Sequence, residues 1–264
     1  VRTLILAPHP DDAALCLGGF VERARVRDPA LLAGATLVTV FGRTVYAPHA
    51  PGASGETGSG AVSALRAREE RRFARASGLA LELLSLPDSS AIGLSDDDEM
   101  VADPATDPRR DDVTAALSGR VAGVDVLLVC AAIGGHVDHR LVRDAALAHT
   151  TAPLVLLYED LPYAAELDGP AVPPPLADPG PAPREHRIDV TGVLDRKRER
   201  LRIYRSQLTE DDVDQVLAYA AGFDPPRAVE RVWSLDRGPR EPGVPRDGRA
   251  ERLLERLLVP AAPP

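Results

Sequence analysis

The chain has 264 residues, 44% of them hydrophobic, with 40 acidic against 31 basic side chains and a formal net charge of -9. That size and apolar content suit one α/β core near the upper limit for a single domain. The acidic balance, without a basic stripe interleaved with aromatics, excludes nucleic acid as the expected partner.

Residues 3–7 read as a first strand, which runs straight into Pro8-His9-Pro10-Asp11-Asp12. One Arg before so short an apolar run does not make a secretory signal. A helix is expected at 13–27 and a second strand at 36–41. The Gly, Ser and Pro of 47–60 form a loop insertion, followed by a helix at 63–77 that is rich in Arg and Glu at i, i+3 and i+4 and stopped by Gly78. A strand at 79–84, a solvated acidic turn at 96–99, a helix at 111–117, a strand at 124–131, a helix at 140–149 and a strand at 154–158 continue the pattern. Such alternation predicts an α/β fold of βα repeats around a mostly parallel sheet flanked by helices. Residues 169–184 hold seven prolines and read as a second, Pro-rich loop insertion, either surface decoration or a lid over a site.

Helices are expected next at 193–206 and 210–221, the second opening on Thr209, with the basic stretch 195–205 as a solvated helix face. A last amphipathic piece at 250–259 aligns Leu253, Leu254, Leu257 and Leu258 in one stripe, which could dock on the core or on a second copy in a homo-oligomer. The chain thus reads as one domain, 1–264, with a C-terminal helical extension from about 190. The longest apolar run, 126–133, is far short of the roughly 20 residues of a membrane span. Cys16 and Cys130 are too few for a disulfide framework, and a reducing cytoplasm fits them.

Two segments carry chemistry. Each places a histidine and carboxylates at the carboxyl end of an expected strand, where open parallel sheets bind ligands: His9, Asp11 and Asp12 after the first, and His136, Asp138 and His139 after Gly134-Gly135. A catalytic zinc takes about three His or carboxylate ligands and leaves one position open, so His9, Asp12 and His139 can supply the set. Asp11 is then free to act as general base, and His136 as acid or as the positive charge facing an oxyanion, with Asp138 placed to orient its ring. Fe(II), Co(II) or Mn(II) would also suit these ligands. A lone Asp-Asp at a strand end is more often a helix cap, and a lone loop His has no role; the coincidence of both clusters argues for a site.

With its His9-Pro10-Asp11-Asp12 segment and its later His136-Val137-Asp138-His139, the sequence resembles the LmbE-like, or PIG-L, family of N-deacetylases. The likeness extends to Arg66 through Glu70, to Leu86-Pro87-Asp88, to Tyr158 through Tyr163, and to Lys197 through Gln207. It implies a Rossmann-like fold, zinc held by His9, Asp12 and His139, Asp11 as base, His136 as its charged partner, and substrate contacts from Arg66 and Asp88. It also implies a small N-acylated substrate, an N-acetyl amino sugar or glycoconjugate before an acylated amino acid or antibiotic intermediate. Two positions depart from the family pattern. Ala13 stands where a Glu is frequent, and Gly134 where some members have a Tyr that helps the oxyanion, which leaves Tyr158 and Tyr163 as candidates for that help. The readings of another class are a non-catalytic metal-binding scaffold and a nucleotide-binding Rossmann module. The second would need a Gly-rich turn in place of the carboxylates.

Overall fold

The computed structural model of the chain describes residues 1–50, 59–167, 171–173 and 182–235, with positions 252 and 255. Most of both expected loop insertions, and the leucine stripe at 250–259, lie outside the described residues. Strands β1 (Thr3–Ala7), β2 (Thr36–Thr39), β3 (Ala80–Leu83), β4 (Val126–Cys130), β5 (Leu154–Tyr158), β6 (Arg184–Asp189) and β7 (Val229–Leu235) form one sheet in the order β3-β2-β1-β4-β5-β7-β6. The first five are parallel, and β7 runs antiparallel to both of its neighbours. Every residue of β1, β4 and β5 is buried, because strands covered by helices on both faces must be apolar on both. The helices are α1 (Asp12–Arg27), α2 (Pro29–Leu32), α3 (Ser59–Ser77), α4 (Asp96–Val101), α5 (Arg110–Ser118), α6 (Val137–His149), α7 (Leu194–Leu201) and α8 (Glu210–Gly222). Among the described residues no helix is long and apolar enough to cross a membrane.

The chain winds outward from β1 to β3, then restarts at β4 on the other side of β1. The strand order therefore reverses between the carboxyl ends of β1 and β4, the switch point at which such sheets open a crevice. Both sequence motifs leave the sheet there.

Four expectations change. Residues 96–99 are not a turn but the start of α4, because Ser95 and Asp98 cap each other reciprocally and four acidic side chains suit a helix N-terminus. The strand expected at 36–41 ends at Thr39, and Phe41 makes only an isolated bridge to Ser85. The helix expected at 193–206 stops at Leu201. The chain after 190 is more than a helical extension, since β7 enters the main sheet between β5 and β6.

The basic stretch around α7 is not wholly solvated either. Lys197 is fully buried and donates to Leu15 O at 2.8 Å and Glu230 Oε1 at 2.7 Å. Glu230 in turn accepts the Gly19 and Phe20 amides at 2.7 and 2.6 Å. The Leu15 carbonyl and Gly19 amide are ordinary helical partners, so this ion pair reaches into the ladder of α1. A Cβ at Gly19 would lie 2.8 Å from Glu230 Oε1, which is why a glycine stands there. Replacing Lys197 by Met would strand a buried carboxylate, and a loss of about 3 kcal/mol is expected, the low end for such pairs because two amides remain on Glu230. Urea denaturation checks this, and the Lys197→Met/Glu230→Gln double variant should recover part of the loss.

Candidate metal and active site

β1 ends at Ala7, and the following turn brings Asp11 to φ 114°, a region that non-glycine residues seldom occupy. Asp11 is the residue before α1, yet its side chain makes no cap hydrogen bond to the helix. Its Oδ2 instead accepts from Arg66 Nη2 at 3.1 Å. The ordinary use of an Asp at this position, capping, is thus given up for a place in the cluster. Burial outweighs Arg66 and, with Asp12 adding to it, raises the Asp11 carboxyl to about 6.

Asp12 Oδ2 accepts the His9 amide at 2.6 Å, which folds the turn back on itself. From there Asp12 Oδ2 lies 3.6 Å from His9 Nδ1, and Asp12 Oδ1 lies 3.6 Å from His139 Nε2. Each histidine is backed by a carboxylate on its far side. His9 Nε2 donates to Asp138 Oδ2 at 2.9 Å, and His139 Nδ1 donates to Asp160 Oδ1 at 2.7 Å. In the neutral rings those bonds fix the tautomers that leave His9 Nδ1 and His139 Nε2 as lone pairs facing Asp12. His139 Nε2 is buried with no hydrogen-bond partner among the described residues, which a native core avoids unless something else occupies the position. Ligand atoms around a tetrahedral ion with bonds of about 2.1 Å stand about 3.4 Å apart, close to the spacings seen here. These three residues therefore fit a divalent metal.

Two other groupings of potential ligands share these residues: His9 with His136 and Asp138, and Cys130 with His139 and Asp160. Neither is as apt. In the first, His9 Nε2 already donates to Asp138 Oδ2 and the His136 ring nitrogens face the Asp138 amide and Glu99; in the second, His139 Nδ1 already donates to Asp160 and Cys130 Sγ to the His139 carbonyl. Arg109 Nη1 also faces Asp138 Oδ1 as an ion pair at 2.7 Å, where a cation would be repelled. Against the opposing effect of burial, the hydrogen bond to Asp138 and the charge of Asp12 hold the His9 ring, and the charge of Asp12 and the hydrogen bond to Asp160 the His139 ring, above their ordinary pKa, so a metal must displace protons to bind. Asp138→Asn and Asp160→Asn are each expected to weaken metal affinity by about 10- to 100-fold, the usual scale for a carboxylate behind a ligating His. Titration against a competing chelator measures it.

This arrangement corrects the role expected of Asp138. Its side chain orients His9 and accepts the Ser89 amide at 2.9 Å; toward His136 it offers only its backbone N–H, which donates to Nδ1 at 3.1 Å. The His136 ring is held instead by Glu99, whose Oε1 lies 3.1 Å from Nε2. Burial lowers the His136 pKa, and the hydrogen bond to Glu99 opposes that shift.

The residues expected to meet substrate fare unevenly. Tyr158 does not: its hydroxyl donates to Leu6 O at 2.9 Å within the sheet and the residue is fully buried, because every side chain of β5 belongs to the core. Asp88 is buried as well, and its Oδ1 accepts from Ser90 Oγ and the Ala91 amide, so it holds its own turn. Arg66 is buried against Asp11 and the Pro10 carbonyl, while its Nε has no hydrogen-bond partner among the described residues. Tyr163 does stand at the cluster, edge-on to His139 at 5.6 Å between ring centroids and tilted against His136 at 5.8 Å. Its position also accounts for Gly134, since a Cβ there would lie 2.6 Å from Tyr163 Cβ and the backbone φ is +90°. Glu99, Arg109 and Asp160 were not singled out from the sequence. Asp160 carries the same signal as the two motifs, an acid just past the carboxyl end of a strand.

Residues 4–150 match the model of a family described as GlcNAc-PI de-N-acetylase, PIG-L. The chain is 35% identical to a 2′-N-acetylparomamine deacetylase of Streptomyces fradiae in an alignment of 265 positions that covers 98% of this chain and 90% of that protein. Among solved structures it resembles a deacetylase of the teicoplanin biosynthesis pathway, with a TM-score of 0.69 at 24% identity over 91% of this chain and 100% of that one. The zinc-inhibited form of a teicoplanin deacetylase gives 0.66 at 23%, again over 91% and 100%. At these identities the structural likeness shows the fold.

Proposed function

Since this chain belongs to the PIG-L family, we propose that it hydrolyses the N-acetyl group of an amino sugar in a small glycoconjugate of the antibiotic-intermediate kind, with zinc or a similar divalent ion held by His9, Asp12 and His139. The observation that carries the reading is the pair of histidines, each locked by a carboxylate so that its free nitrogen faces Asp12, with Asp11, one oxygen of which is taken by Arg66, alongside. The nucleotide-binding alternative lacks support. The turn after β1 carries Asp11 and Asp12, whose charges repel phosphate, and Gly18 and Gly19 pack against Lys197 and Glu230. The two cysteines are buried and free, which suits the cytoplasm as the place of reaction.

A metal bound by these ligands would polarise the acyl carbonyl and acidify the attacking water. Asp11 accepts that water's proton. Arg66 occupies Oδ2, so Oδ1 is the oxygen left for it. As the new C–O bond forms and the C–N bond breaks, the proton passes to the departing amine, and the products are the free amine and acetate. His136 can offer the developing oxyanion its Nε2–H, which faces Glu99 before substrate binds, and the Tyr163 hydroxyl, which makes no hydrogen bond among the described residues, can add a second donor.

The test is to incubate protein reconstituted with zinc or cobalt with 2′-N-acetylparomamine, other N-acetyl amino sugars and N-acetyl amino acids, and follow loss of one acetyl group by mass spectrometry. Acetate from the sugars, abolished by a chelator, is expected. Reaction of the amino acids alone overturns the sugar assignment; no reaction at full metal occupancy leaves the scaffold reading.

A further inference from the structure

His136 has one N–H to give. Its Nδ1 accepts the Asp138 amide at 3.1 Å, so the proton of the neutral ring sits on Nε2, and Nε2 is 3.1 Å from Glu99 Oε1. An acyl oxygen or oxyanion that is to be stabilised by His136 must take its hydrogen bond from that same Nε2–H. The Glu99 carboxylate therefore competes with the reacting oxygen, one anionic oxygen against another.

Glu99 is also placed to be drawn away. It sits on the six-residue α4, and its side chain is 17% exposed while that of His136 is 4% exposed. Its second oxygen accepts from Ser89 Oγ at 2.5 Å. Its partners among the described residues are thus a hydroxyl and an imidazole, with no Arg or Lys on it. A half-buried carboxylate that gives up a hydrogen bond to His136 loses free energy unless another donor replaces it. A substrate hydroxyl replaces it only with a neutral donor. A substrate ammonium does so about twice as strongly, through a charge-assisted pair.

We propose that Glu99 is a specificity switch, which covers His136 Nε2 before substrate binds and is drawn off by a free ammonium on the substrate, so that the site favours N-acetyl amino sugars carrying a second, protonated amine. The exchange moves no covalent bond: Nε2–H passes from Glu99 to the reacting oxygen, and Glu99 passes from Nε2–H to the ammonium. This inference rests on the deacetylase reading above.

The experiment compares kcat/KM of the metal-loaded enzyme for 2′-N-acetylparomamine, whose remaining amines are protonated at neutral pH, with that for methyl N-acetylglucosaminide, which has none. Glu99→Gln keeps an acceptor for Nε2–H and removes the charge, and Glu99→Ala removes the cover. In both variants the ratio of the two values, cationic over neutral, is expected to fall about tenfold or more, the scale of a hydrogen bond to a charged group. A ratio of two substrates on one preparation does not depend on the fraction folded. An unchanged ratio overturns the switch, and equal losses on both substrates would make Glu99 only a support for His136. If the parent enzyme deacetylates neither compound at full metal occupancy, it is the deacetylase reading that fails.

Discussion

His9→Ala, Asp12→Ala and His139→Ala are each expected to lose bound metal and activity together, with turnover falling by roughly a thousandfold or more, the equivalent of the several kcal/mol that a Lewis acid contributes to an acyl-transfer barrier. The three should not behave identically. Asp12 lies between the other two ligands and also accepts the His9 amide, so its loss removes a ligand and loosens the turn that aims His9. His139→Ala leaves Asp160 buried without its ring partner and should additionally lower thermal stability. Elemental analysis after reconstitution, run beside an acetate-release assay, is the check. Full occupancy in any one variant would remove that residue from the ligand set.

The parallel half of the fold was legible because β1, β4 and β5 are buried on both faces and so appear as uninterrupted apolar runs. The antiparallel edge was not. β6 alternates exposed charge with burial, and β7 carries Glu230 and Arg231 in buried pairs with Lys197 and Glu159, partners distant in sequence that no local pattern announces. The site divides in the same way. Two motifs at strand ends pointed to the proposed ligand set and to Asp11, since a local turn delivers each. Which carboxylate backs which histidine depended on how the two turns meet, and there adjacency misled: Asp138 is two residues from His136 but turns its carboxylate to His9, 129 positions away. Glu99 was missed because an acidic run gives no sign of which of its members turns inward.

Asp11→Asn should separate base from ligand most sharply, by suppressing turnover about 100- to 10,000-fold while metal stays bound. Asparagine is the apt replacement. It tolerates positive φ better than most residues, which matters at φ 114°, and its carbonyl can still accept from Arg66 Nη2. What it lacks is the capacity to take a proton from water. The pH dependence follows with a definite sign. Burial raises the Asp11 carboxyl to about 6, and the base works only when ionised, so kcat/KM should be sustained above that value and decline as pH falls through it. A dication at His9, Asp12 and His139 favours the ionised carboxylate, which moves the acid limb of the loaded enzyme below 6 rather than above it. Protonation of the ligand histidines could imitate such a limb by releasing metal, and occupancy measured at each pH distinguishes the two. The Asn variant should show a low rate without that limb over the range in which metal remains bound. A limb that persists unchanged at near-parental rate would transfer the base role to another group.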